Sequence, residues 1–105
     1  MELNHVQADV ATQVLNSRLS RLSPEKALSH AVCGLTEEAG EVAGLLKREA
    51  FKQQPQPIER WIEELGDVLW YLCEVANQKG LTLEAIFKAN REKLKIRYGD
   101  WEAQK

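Results

Sequence analysis

The chain has 105 residues, enough for one domain with a modest core. Fourteen Lys and Arg against sixteen Asp and Glu leave a formal charge of −2, which offers neither a basic field for nucleic acid nor a polybasic surface for a membrane. No stretch approaches the roughly 18 apolar residues of a membrane span, and the N-terminus lacks a basic region followed by an apolar run. Cys33 and Cys73 stand alone without a C-x-x-C spacing, as expected of reduced thiols in a cytoplasmic protein.

Pro and Gly divide the sequence into four helical segments with almost no strand pattern. The expected fold is therefore all-α, a four-helix bundle-like single domain over residues 1–105. The first helix is predicted over about Leu3–Leu22, with Leu3, Val6, Val10, Val14 and Leu15 at helical spacing. Ser23-Pro24-Glu25 then reads as N-cap, first-turn proline and an acid facing the helix dipole, opening a helix that continues to about Lys52. The run QQPQP, from Gln53 to Pro57, is a turn-rich break.

A third helix is predicted from Ile58 to Gln78, stopped by Gly80 as a C-terminal cap. Its apolar arc comprises Ile58, Trp61, Ile62, Leu65, Val68, Leu69, Leu72, Val75 and Ala76, and Trp70 falls well outside it. A helix apolar on more than one side needs more than one neighbour, which in so short a chain points to a homo-oligomer. Thr82 caps the fourth helix, with Glu84 in its first turn and Gly99 past its end. Beyond it the tail DWEAQK should be loose, apart from what Trp101 packs against.

A short acidic motif occurs twice, 26 residues apart: Glu37-Glu38-Ala39-Gly40-Glu41 in the second helix and Glu63-Glu64-Leu65-Gly66-Asp67 in the third. Glu38 with Glu41, and Glu64 with Asp67, are three residues apart and so neighbours on a helix surface, where like charges repel unless a cation lies between them. Leu28, Val32, Leu35, Ala39, Val42 and Leu46 define the expected buried stripe of the second helix, with Glu38 inside it and Glu41 at its edge. An ionised carboxylate in an apolar stripe is expensive unless paired or bound to metal. If the two helices pack antiparallel, all four carboxylates converge. Hard oxygen donors of this kind suit Mg²⁺ or Mn²⁺, and magnesium commonly shares its remaining positions with phosphates.

The fourth helix carries the opposite charge. Leu83, Ile86, Phe87, Leu94 and Tyr98 give its apolar stripe, Asn90 and Arg97 fall within it, and Lys93 lies beside it. Two cations and an amide facing inward would complement a polyphosphate. Gly34, Gly40, Gly44 and Gly66 lie inside helices, where each costs about 1 kcal/mol relative to Ala and so suggests close packing or ligand approach.

EEAGE, a spacer, EELGD in the next long helix and the later ANREKLKIRYG together resemble the MazG-type all-α nucleoside triphosphate pyrophosphohydrolases, over about Ala27 to Gly99. The resemblance implies two acidic helices holding Mg²⁺ within a dimer or dimer of dimers. It also implies hydrolysis of (deoxy)nucleoside triphosphates to monophosphate and pyrophosphate, a nucleotide-pool house-cleaning activity. By motif, Glu38, Glu41, Glu64 and Asp67 would be the metal ligands, and Glu37 would position or deprotonate the attacking water. Asn90, Lys93 and Arg97 would contact phosphates, and Tyr71 would stack on the base or sugar. His5, Gln7, Gln13, Trp61, Trp70 and Trp101 are open candidates for base recognition.

Other chemistries fare worse. A di-iron carboxylate bundle needs two Glu-x-x-His pairs; the only one here is Glu2 to His5, at the chain's start. There is no P-loop glycine motif and no supported Ser-His-Asp or Cys-His arrangement. The alternatives outside enzymology are a helical module that dimerises through its aromatic third helix, which leaves Glu38 in an apolar stripe unexplained, and a nucleotide-binding regulator that keeps the metal site without efficient hydrolysis.

Overall fold

A computed structural model describes residues 2–99; Trp101 and the rest of the predicted loose tail lie outside the described residues. Four helices follow in order: α1 (Leu3–Leu15), α2 (Pro24–Phe51), α3 (Ile58–Gln78) and α4 (Leu83–Tyr98), with a short 3-10 turn at Arg18–Arg21 and no strand among the described residues. The all-α expectation holds. Among the described residues no helix is long and apolar enough to cross a membrane.

The caps fall where local chemistry puts them. The Ser23 hydroxyl accepts from the Lys26 N–H and the Thr82 hydroxyl from the Ala85 N–H, each satisfying an orphan donor of the first turn. Gly80 takes φ +67°, and Leu81 N–H reaches back to the Ala76 carbonyl, closing α3 in a left-handed cap that glycine adopts freely. The first helix departs from expectation: it ends at Leu15, not Leu22. Ser17 donates its hydroxyl to the Val14 carbonyl and accepts from Leu19 N–H, so its side chain replaces the helical ladder and turns the chain.

α2 and α3 are the principal packed pair and run antiparallel. Glu49 meets Trp61, Glu38 lies with Glu64 and Asp67, and Gly34 lies against Tyr71, so partners ascend in α3 as they descend in α2. Glu49 fixes the turn between them, accepting from Trp61 Nε1 at 3.0 Å and from Gln56 N–H at 3.3 Å. α1 lies across the C-terminal half of α3. There Val10, Cys73, Ala76 and Leu83 form a small core with Val6, Val14, Trp70, Leu72 and Ile86 around it. The buried Gln7 amide binds this junction: its Nε2 donates to Asn77 Oδ1 (2.8 Å) and the Leu81 carbonyl (2.6 Å), and its Oε1 accepts from Leu83 N–H (2.8 Å).

The buried stripe of α2 is rotated from the one expected. Ala31 and Leu45 are fully buried, whereas Val32 and Leu46 are exposed. On α3, Ile58, Ile62, Leu65 and Leu69 form an uncovered apolar stripe, and Trp70, outside the predicted arc, is half-buried and donates to Gln13 at 2.8 Å. Phe87 and Tyr98, placed in the α4 stripe from sequence, are exposed. The radius of gyration, 16.6 Å, exceeds the roughly 13 Å of a compact domain of this length. Both cysteines are free, Cys73 buried and Cys33 exposed.

Candidate metal centre

The antiparallel α2–α3 pair brings Glu38, Glu64 and Asp67 together: one carboxylate oxygen from each lies within 4.8 Å of the others. Glu38 and Glu64 are half-buried and Asp67 is exposed. Glu38 sits between Leu35 and Val42 on the packed face of α2, so the rotation of the stripe places it more centrally than the sequence suggested. Glu41, the fourth expected ligand, is exposed and does not join the group of three. The two motifs repeat by translation along the sequence, but an antiparallel pair relates the helices by reversal. Glu38 therefore comes level with Glu64 and Asp67 while Glu41 moves toward the loop end.

Electrostatics mark Glu38 as the strained member. Burial first, then the charges of Asp67, Glu64, Glu37 and Glu41, push its carboxyl above the ordinary carboxylate value. Tyr71, one turn beyond Asp67, is also pushed up, by burial and then by Glu38, Glu37 and Asp67, so it stays a neutral phenol. Its ring rests on the backbone of Gly34, at a position that any Cβ there would occupy. It also contacts His30 (centroids 5.9 Å) and the edge of Trp70 (5.1 Å). Gly34 thus has the close-packing role expected of an internal glycine, while a Cβ at Gly40 or Gly66 would meet nothing within 4 Å.

The donor set fits a small hard cation. Side-chain rotation would let the three oxygens, already within 4.8 Å of one another, converge on one small ion with bonds of about 2.1 Å. Three carboxylates without nitrogen or sulfur suit Mg²⁺ or Mn²⁺ rather than zinc or copper. Glu37 is exposed beside Glu38. Asn90, Lys93 and Arg97 are exposed on α4, which packs chiefly on α1, and the structure does not gather them at the carboxylates. Asn90 and Lys93 share a shallow cavity with Ile86 and Ala89, and the Arg97 guanidinium lies 5.9 Å from the Tyr98 ring centroid.

Of the open candidates, Gln7, Gln13, Trp61 and Trp70 are committed to hydrogen bonds between elements, and His5 is exposed. Two further residues of α3 went unnoticed in the sequence. Arg60 Nη2 donates to Glu64 Oε1 at 3.3 Å, a pairing its i,i+4 spacing would have signalled. Glu74 is 4% exposed on α3, where burial raises its carboxyl against the opposing pull of Gln78 and His30; no periodic pattern marks it.

Fold and site together define an all-α protein with a cation-competent acidic centre between two antiparallel helices. The MazG nucleotide pyrophosphohydrolase domain matches residues 27–100, and the chain belongs to that family. It is 35% identical over 75 residues to the Gene 37 protein of Mycobacterium phage L5, an alignment covering 67% of this chain and 65% of that protein. It is 36% identical over 73 residues to the uncharacterized protein YvdC of Bacillus subtilis (strain 168), covering 61% and 69% respectively. The chain thus spans just under two thirds of the phage relative's length. No solved structure gives a significant match.

Proposed function

We propose that this protein is a cytoplasmic, Mg²⁺-dependent pyrophosphohydrolase that converts nucleoside triphosphates to monophosphate and pyrophosphate, with Mn²⁺ able to replace Mg²⁺. The observation that carries the reading is the convergence of Glu38, Glu64 and Asp67 within a MazG domain. These three would hold the ion, with Glu41 reaching it from the next turn of α2. Bound there, the ion supplies Lewis-acid polarisation of phosphate oxygens. Glu37, exposed beside Glu38, accepts the proton of the water that attacks the α-phosphorus. The bond to the bridging oxygen breaks and pyrophosphate leaves.

Asn90, Lys93 and Arg97 serve the phosphate chain in this reading, and Tyr71, at the border of the cluster, meets the base or sugar. Assembly of at least two copies belongs to it as well. The accessible surface of 7940 Å² exceeds the roughly 6000 Å² of a compact monomer of this mass. Ile58, Ile62, Leu65 and Leu69 also form a continuous uncovered row on α3. A second copy that covers this row can bring its basic α4 toward the acidic helices of the first.

The test is pyrophosphate release from a panel of ribo- and deoxyribonucleoside triphosphates, with Mg²⁺ and with excess chelator. Metal-dependent release, lost in Glu38→Gln while the circular dichroism stays helical, supports the reading and ranks substrates for the house-cleaning role. A folded, metal-loaded protein that turns over none of them favours the non-catalytic module.

A further inference from the structure

We propose that Arg60 is the positioning counter-ion of the acidic centre: it holds Glu64 in the metal-free protein and yields that carboxylate when a divalent cation binds. The inference rests on the metal reading above and on two features of Arg60 itself. Its Nη2 donates to Glu64 Oε1 at 3.3 Å, and Glu64 is one of the three convergent carboxylates, its side chain only 12% exposed. The Arg60 Nε is buried and has no hydrogen-bond partner among the described residues.

The incomplete bonding indicates a displaceable partner. A guanidinium presents five donors in a rigid fork, and its tightest pairing with a carboxylate uses two parallel bonds. Arg60 makes one bond to Glu64, at the long end of the hydrogen-bond range, with its Nε unspent. A two-bond pair would divert Glu64 from a metal. One long bond keeps the carboxylate among its acidic neighbours and gives way to a doubly charged ion. The other ion pair recorded among the described residues, Lys88–Glu84, lies on α4 and is no part of this centre.

A cation arriving at Glu64 both takes the carboxylate from Arg60 and repels the guanidinium, so pair and metal compete. A partly exposed i,i+4 pair shifts an equilibrium by roughly two- to five-fold, and that is the expected handicap on metal affinity.

The test is Mn²⁺ binding to the full chain, followed by electron paramagnetic resonance and calorimetry, beside thermal melting with and without Mn²⁺. Arg60→Gln should bind Mn²⁺ about two- to five-fold more tightly than wild type and melt lower only in chelator. Arg60→Lys, which keeps the charge, should stay near wild type. Arg91→Gln, an exposed cation on α4, should leave Mn²⁺ affinity unchanged. A purely structural Arg60 would lower melting equally with and without Mn²⁺ and leave affinity alone, which would overturn the proposal. Weaker Mn²⁺ binding in Arg60→Gln would also overturn it, by showing that Arg60 assists the ion. Wild type that binds no Mn²⁺ would remove the metal reading itself, a failure distinct from an unchanged affinity in the variant.

Discussion

A methyl group added at Gly34 separates what helix propensity dictates from what packing dictates. In a helix interior Ala is favoured over Gly by about 1 kcal/mol, so propensity alone gives Gly34→Ala, Gly40→Ala and Gly66→Ala the same stabilisation. The structure divides them. A Cβ at Gly34 would overlap three atoms of the Tyr71 ring, whereas at Gly40 or Gly66 it enters open space. Nor can the ring retreat freely, because His30 and Trp70 contact it and Tyr71 is half-buried.

Overpacking costs about 1–3 kcal/mol, and an overlap with a rigid ring belongs in the upper part of that range. After the propensity gain is offset, Gly34→Ala should lose about 1–2 kcal/mol, while Gly40→Ala and Gly66→Ala gain about 0.5–1 kcal/mol. With about 4–8 °C of melting temperature per kcal/mol at this size, the variants should melt on opposite sides of wild type. Circular dichroism in chelator, at one protein concentration, measures this. Replacing Tyr71 by Leu should remove most of the Gly34→Ala penalty, a coupling read from the double-mutant cycle. Gly34→Ala melting above wild type, level with the other two, would refute the ring-on-backbone contact.

Three further outcomes follow from other parts of the molecule. Gln7→Ala strips the Leu83 N–H and the Asn77 side chain of their partner in a buried junction, and should cost about 2–3 kcal/mol by urea denaturation. The Glu74 carboxyl is raised by burial, so the stability linked to it is present below the ordinary value of 4.5 and lost as pH rises through the raised one. Glu74→Gln should therefore gain more stability over wild type at about pH 8 than at about pH 5, and an equal gain at both would count against a buried, reluctant carboxylate. Leu65→Lys with Leu69→Lys places two charges on the uncovered row of α3, and sedimentation should find that variant monomeric where wild type self-associates.

Much of this architecture is legible in residues that act locally. Ser23, Thr82 and Gly80 govern their helix ends through local bonds, so the start of α2, the end of α3 and the start of α4 follow from chemistry within about five residues. Ser17 uses equally local bonds, but serine tolerates helix interiors, and nothing in the pattern requires the break that ends α1 at Leu15. The error over the α2 stripe has a different origin. Apolar periodicity marks a face suited to burial, whereas burial within one chain reports only the neighbours that chain supplies. Val32 and Leu46 satisfy the first criterion and not the second. Asn90 and Arg97 differ again: their spacing put them on an apolar stripe of α4, with Lys93 beside it, and the chain leaves Phe87 and Tyr98 of that stripe exposed.

Glu38 was conspicuous for the reason that makes it costly. It lies on the packed face of α2 within reach of Glu64 and Asp67, and folding the metal-free chain brings these charges together with no net benefit to stability. Under the proposed metal reading such a residue serves binding and not folding, which predicts opposite signs for two measurements on one variant. Glu38→Gln keeps the side chain's shape and removes its charge, so in chelator it should melt above wild type, and the difference should grow as pH rises through the raised Glu38 value. With saturating Mg²⁺ the order should reverse, because wild type alone gains the stabilisation that a bound ion confers on the folded state. Glu38→Gln melting below wild type in chelator would mean that this carboxylate is already compensated inside the protein, and the case for a cation between α2 and α3 would lose its electrostatic basis.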